Sequence, residues 1–269
     1  MTTWGRRNYE VPDGRLVQAE REIYQTFGDK VTVDQKAKSL VKFGKSAQLS
    51  TGSLQTIWTV GGNETYVNDN LIDSISSSSA LDTEVIYLEG HTVTGTGQDQ
   101  QFTFVTQTVQ LNGQTRVALP TPLARASLAF NDNGTPLLGR VAVYENTALT
   151  NGIPIDTTKI HLDIPTGLQE SFKAATTFSN SDYFVLTGGF GSVSLKQDGA
   201  ADFYLEVRAP GKVFRQVAAI SATNAGPWQI NLDPAVIVPK NYDVRVRAET
   251  SANNLVVFCS FQGYLARII

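Results

Sequence analysis

Glu84-Val-Ile-Tyr-Leu-Glu-Gly-His-Thr-Val-Thr94, Gln101-Phe-Thr-Phe-Val-Thr-Gln-Thr-Val-Gln-Leu111 and Arg140-Val-Ala-Val-Tyr144 decide the fold class. Their β-branched and aromatic residues alternate with polar ones at a period of two, the pattern of half-buried strands. Asn112-Gly113 between such runs is a hairpin signal. A three-residue loop with Gly113 in the left-handed position places Val105, Val109, Val117 and Leu119 on one face. A slip of one residue turns an apolar set like this to the opposite face, which fixes the preferred register.

The same pattern extends in both directions. Leu54 to Val60 alternates and returns through Glu64-Thr-Tyr-Val67. Asp202 to Arg208 turns at Pro210-Gly211, a type II signal, into Val213 to Ile220. Tyr242 to Glu249 is the clearest strand: Tyr242, Val244, Val246 and Ala248 face inward, and Asp243, Arg245, Arg247 and Glu249 face outward. Strands recur every 8–12 residues with turns between them, and Asn146 to Pro154 reads as a linker. The sequence therefore predicts an all-β protein of two antiparallel β-sandwich or jelly-roll-like domains, residues 46–155 and 156–269, behind an N-terminal arm of residues 1–45.

The arm is set apart by charge. Residues 1–45 hold nine Lys or Arg and six Asp or Glu, whereas the remainder hold thirteen and nineteen. Leu16, Ala19, Ile23 and Phe27 recur at helical spacing between a capping Asp13 and a terminating Gly28, which predicts one short helix on an otherwise extended arm. The helix either docks on its own body or grips a neighbouring subunit. Trp4 sits in a polar stretch that forms no core of its own. Trp4, Arg6, Arg7, Leu16, Ile23 and Phe27 are the candidate partner contacts.

Catalytic equipment is not legible. His91 and His161 lie far apart without a cysteine partner, and both are expected as surface residues at strand ends. Asp69, Asp73, Asp82 and Glu84 lack the ligand spacing of a calcium loop and are expected to shape turns. Gly95-Thr-Gly97 and Gly188-Gly-Phe-Gly191 do not lead into the Lys-Ser/Thr of a phosphate cradle. Cys259 lies in an apolar run and reads as a buried, inert side chain. Trp58 and Trp228 read as core. The expectation is no enzyme, no cofactor and no metal. A net charge of −3 does not suggest nucleic acid or a polybasic membrane contact, and no run reaches the ~20 apolar residues of a membrane span. Without an apolar stretch behind Met1-Thr-Thr-Trp-Gly-Arg-Arg7, no signal peptide is read and a cytoplasmic site of synthesis is expected.

Several phrases resemble a family of virion structural proteins of tailed, often marine, bacteriophages. They are Lys42-Phe-Gly-Lys45, Gly61-Gly-Asn-Glu-Thr-Tyr66, Ile72-Asp-Ser-Ile-Ser-Ser77, Glu89-Gly-His-Thr-Val-Thr-Gly-Thr-Gly97, Phe102-Thr-Phe-Val-Thr-Gln107 and Pro239-Lys-Asn-Tyr-Asp-Val-Arg245. The resemblance runs over most of residues 40–269 and carries no site motif. It implies a capsid decoration or cement protein on the head exterior, with the major capsid protein and copies of itself for partners; a trimer is the oligomer expected from the arm, since it would multiply weak arm contacts. The alternative is a tail or head-fibre module that binds host surface glycans.

Overall fold

The computed structural model describes residues 38–194, 199–223, 226–252 and 255–266. The arm helix and all six candidate contacts, Trp4, Arg6, Arg7, Leu16, Ile23 and Phe27, lie outside the described residues. Eighteen strands form the described chain. The first nine are β1 (Lys38–Leu49), β2 (Gln55–Thr56), β3 (Ile72–Ser77), β4 (Val85–Thr94), β5 (Gln101–Gln110), β6 (Val117–Leu123), β7 (Arg125–Asn131), β8 (Val141–Glu145) and β9 (Leu149–Thr150). The rest are β10 (Ile153–Pro154), β11 (Ile160–Ile164), β12 (Ala175–Thr177), β13 (Tyr183–Ser194), β14 (Ala200–Arg208), β15 (Arg215–Thr223), β16 (Pro227–Val238), β17 (Asp243–Thr250) and β18 (Leu255–Ala266). The protein is all-β, and the pairing within its sheets is antiparallel.

Two sandwiches result. In the first, the sheet β11-β8-β3-β6 packs on β5-β4-β7 around Ile72, Ile75, Ile86, Leu88, Val109, Leu123, Val143 and Leu162. In the second, β1-β18-β13-β16 packs on β12-β17-β14-β15, with β2 added beside β17. Its core holds Leu40, Leu49, Ile57, Phe184, Phe203, Val246, Val257 and Phe261. Phe178 and Phe184 stack there at 4.6 Å between ring centroids. These alternating apolar positions turn inward because each sheet has one face against its partner.

The chain enters the second sandwich first. Lys38–Leu49 pairs with β18, and Ile57 joins that core. The sequence reading had placed Lys38 to Lys45 in the arm and the residues after them in the first β domain. Alternation reports that a segment is a strand and not which strand it pairs with. The partner is set by fit: Gly44 faces Cys259, and a Cβ on Gly44 would meet the Ile57 carbonyl at 2.3 Å. The first sandwich is consequently inserted between β2 and β12.

The Asn112-Gly113 signal also resolves differently from the hairpin expected. Gly113 is left-handed, with φ of 56°, but the turn closes only as a bridge between Asn112 and Thr115. Beyond it β5 pairs with β4, and β6 crosses to β3 in the facing sheet. Val105, Val109, Val117 and Leu119 still meet, because the two sheets enclose the same core. The stretch expected as a linker, Asn146 to Pro154, contains the small hairpin β9–β10.

Candidate interaction surfaces

The two sandwiches meet across a seam built from charge. Asp243, at the start of β17, is 2% exposed. It accepts hydrogen bonds from Arg125 Nε of the first sandwich (3.1 Å), from Thr177 Oγ1 (2.6 Å) and from Arg208 Nε (2.9 Å). Arg125 also donates to the carbonyls of Val67 and Ala124. Burial pushes the Asp243 carboxyl up, but Arg125, Arg208 and the Thr177 hydroxyl outweigh it and hold the group below the usual carboxylate range. Beside it the Arg245 guanidinium lies 3.6 Å from the Phe214 ring centroid, and that of Arg208 lies 4.2 Å from the Tyr66 centroid. Glu206 accepts from Arg245 Nε at 2.8 Å and from Arg247 Nη2 at 2.5 Å.

This seam corrects the reading of Tyr242 to Glu249. The period of two is right, since Val244, Val246 and Ala248 are in the core. The other face is not solvent, because Asp243 and Arg245 are buried. Tyr66 and, at Asp243, Arg125 of the first sandwich approach them from across the seam. Lys residues behave likewise. Lys173 is ion-paired to Glu64 and donates to the carbonyls of Ala126 (2.9 Å) and His161 (3.2 Å). Lys42 is buried and donates to the Ser127 carbonyl at 3.1 Å.

Both histidines are buried within strands, against the expectation of surface positions. His91 lies in β4 with its ring edge-on to Phe104 at 5.4 Å. His161 in β11 is 3.0 Å from Glu145 Oε1. Burial lowers its pKa against the opposing pull of Glu145. Burial likewise drives the Cys259 thiol well up, which keeps it protonated and unreactive. Trp58 is buried, and Trp228 packs against the second core. Among the described residues no group of three His, Cys, Asp or Glu is placed to hold a metal.

Among the described residues, two groups of exposed apolar side chains stand out, beside single exposed ones at Leu71, Ile155 and Val213. One is a band on the outer face of the β1-β18-β13-β16 sheet. Cys259 and Phe261 point into the core, so the alternate residues point out. Phe43 and Phe190 pair from opposite sides with Ser260, and their rings meet edge-on at 5.7 Å. Phe258 lies one pleat along, with the Lys45 ammonium 5.2 Å from its ring centroid. The three phenylalanines are 49%, 41% and 39% exposed.

The other is a tip of the first sandwich carrying Leu81 and Leu138, 74% and 60% exposed. Asp82, itself buried, ties their loops together. It accepts from Ser77 Oγ (2.5 Å), Leu138 N (2.8 Å) and Gly139 N (2.9 Å). Ser78 and Arg140 exchange two further bonds at 2.8 Å. Position 139 must be glycine for this approach, since a Cβ would meet Ser79 N at 2.5 Å. The sequence suggested Asp82 as a turn former; its hold on a loop more than fifty residues away carried no local signal.

No protein-family model and no curated protein matches the chain. Among solved structures it is similar to that of the infectious bursal disease virus Gx strain, with a TM-score of 0.21 and 9% identity over 89% of this chain and 72% of that one. The Gt strain of the same virus gives a TM-score of 0.18 and 10% identity over 96% and 83%. Its VP2 subviral particle gives 0.18 and 11% over 89% and 73%. TM-scores this low assign neither family nor role.

Proposed function

We propose that this chain is a virion structural protein of a tailed bacteriophage, a decoration or cement protein of the head exterior that bridges capsomers. It has no enzymatic role and uses no cofactor. Its partners are the major capsid protein and copies of itself, in a trimer, with neither nucleic acid nor membrane among them. The phrases that resemble those of phage virion proteins support the reading. The observation that carries it is the pair of outward apolar surfaces, the phenylalanine band on one sandwich and the Leu81–Leu138 tip on the other. Bridging needs two contact surfaces on one body, and exposed apolar patches mark protein contacts. A specific interface buries roughly 1,200–2,000 Å². Binding to the assembled shell stabilises it by mass action.

The test is co-sedimentation of the purified protein with heads and with tails from particles made without it. Saturable uptake by heads at a fixed copy number is expected. Uptake by tails alone, or by neither, overturns the reading. The exposed rings of Phe43 and Phe190 give some support to the alternative of a glycan-binding fibre module. Binding to a glycan array in the absence of head binding would favour it.

A further inference from the structure

We infer that the free edge of β15 pairs antiparallel with β15 of a second copy about a twofold axis, so that one sheet runs through both copies. The inference goes beyond the proposed trimer and does not depend on it, since a twofold contact joins copies that a threefold leaves apart.

An open sheet edge is a template for another strand, and proteins blunt the edges that are to stay single. The other edges among the described residues are blunted, covered or short. β1 carries Lys38, Lys42 and Lys45. β6 carries Pro120 and Pro122, and β16 carries Pro227, Asp233 and Pro234. The Gln107 side chain ties the β5 edge to the Thr121 backbone through bonds of 3.0 and 2.9 Å. Residues 169–171 cover β7 by bonding to Ala129 and Asn131. β11 has five residues, Asp163 among them, and β9, β10 and β12 have two or three each.

β15 differs from all of these. It ends the sheet β12-β17-β14-β15, runs for nine residues and contains no proline. Arg215 is its only charged residue. Among the described residues its backbone pairs with β14 alone. A register shift at Leu205–Glu206 leaves Val217 as an extra residue, so the regular part of the edge is Ala218 to Thr223.

The side chains choose the partner. Ala218, Ile220 and Ala222 lie opposite Leu205, Phe203 and Ala201 and face inward, whereas Ala219 and Ser221 face outward. A strand added beside β15 runs along an apolar mouth between the two sheets, walled by Ile220, Trp228 and Ile230. It must therefore bring small or apolar residues at alternate positions and no charge. β15 is itself such a strand, and every copy presents it. A twofold centred on Ile220 sets Ile220 against its counterpart, Ala218 against Ala222 and Ala219 against Ser221, so inward residues meet inward ones. No charge is buried by this pairing and no like charges meet. Neither end of the described chain lies there, because β13 and β16 separate β1 and β18 from that side of the sandwich.

The experiment pairs cysteines. Single variants Ala219→Cys and Ser221→Cys are made in the full-length chain, and Cys259, being buried, contributes no background. Directly opposed Cα atoms in an antiparallel pair are about 4.5–5.5 Å apart, within the range of about 4.4–6.8 Å that a disulfide spans. The two proteins are mixed in equal amounts, oxidised and run without reductant. A disulfide-linked dimer of the two variants is expected, well above that formed by a control, Thr157→Cys, exposed on the first sandwich. In cysteine-free form, Ala219→Lys with Ser221→Lys sets lysines against lysines across the axis. It is expected to halve the mass in solution with the β signature in circular dichroism retained. Hydrogen exchange identifies the failures. No linkage above the control, with slow exchange at every amide from Ala218 to Ala222, means that the chain covers its own edge. No linkage, with fast exchange at alternate amides, means that the edge stays bare. Either result, or a mass unchanged by the two lysines, overturns the inference.

Discussion

The seam between the sandwiches and the outer face of the β1-β18-β13-β16 sheet invert the usual arrangement of side chains. In the seam Asp243, Arg125, Lys173 and Glu64 are almost wholly removed from water. On the sheet face Phe43, Phe190 and Phe258 remain in it. Buried charge is tolerated only where every group is paired, and a half-made network is worse than an apolar one. It therefore gains little stability over an apolar seam. Exposed aromatics contribute little to the isolated fold and become useful when a partner covers them. The seam is thus closed against water, and the outer surfaces stay exposed to it.

The sharpest way to break this contrast is Asp243→Ala. It strands Arg125 and Arg208 in the seam. Urea unfolding is expected to show a loss of about 3–5 kcal/mol. A loss below about 1 kcal/mol would mean that water reaches the seam and that its charges are ordinary surface pairs.

Acid should act on the same residues. Folded Asp243 has a depressed pKa, so its stabilisation is complete above the unfolded value of about 3.9 and disappears as pH falls through the folded value. His161 has a depressed pKa too, so below about 6.5 the unfolded chain takes up a proton that the folded chain resists. The urea midpoint is expected to decline from pH 7 to pH 5 and more steeply below pH 4. His161→Gln should flatten the upper limb and leave the lower one. An unchanged upper limb in that variant would show that His161 is not the titrating group.

Smaller effects separate the Leu81–Leu138 tip from its scaffold. Asp82→Ala leaves the Leu138 and Gly139 amides without their acceptor and is expected to cost about 1–3 kcal/mol. Leu81→Asp with Leu138→Asp changes only exposed side chains, and its thermal stability should stay within about 0.5 kcal/mol of the parent. The paired substitution should nonetheless reduce uptake by heads. Unchanged uptake would exclude the tip from the interface.

Particular residues show how much of this was legible in the sequence. Alternation at Asp202 to Arg208 and Tyr242 to Glu249 gave strands β14 and β17 and their inward residues, because it records local geometry. It could not give strand order, and so β1 was expected in part as arm and β6 as the return of a hairpin with β5. Nor could it distinguish solvent from a second sandwich as the cover on the polar face of β17. A polar residue every second position satisfies both, and only the Arg125–Asp243 contact across the seam decides. The phenylalanine band was hidden for a related reason. Phe43, Phe190 and Phe258 are far apart in sequence and converge only through the register of three strands. Within Phe43-Gly-Lys45 or Phe258-Cys-Ser-Phe261, nothing tells an outward ring from an inward one.

Hydrogen exchange compared between free and head-bound protein tests the division between seam and outer surfaces most directly. The account predicts new protection at residues 78–82 and 137–140 and on the strands carrying Phe43, Phe190 and Phe258. Exchange at Arg125, Lys173 and Asp243 should be slow and equal in both states, because the seam is already closed. New protection confined to the seam, with the leucine tip and the phenylalanine band unchanged, would contradict it.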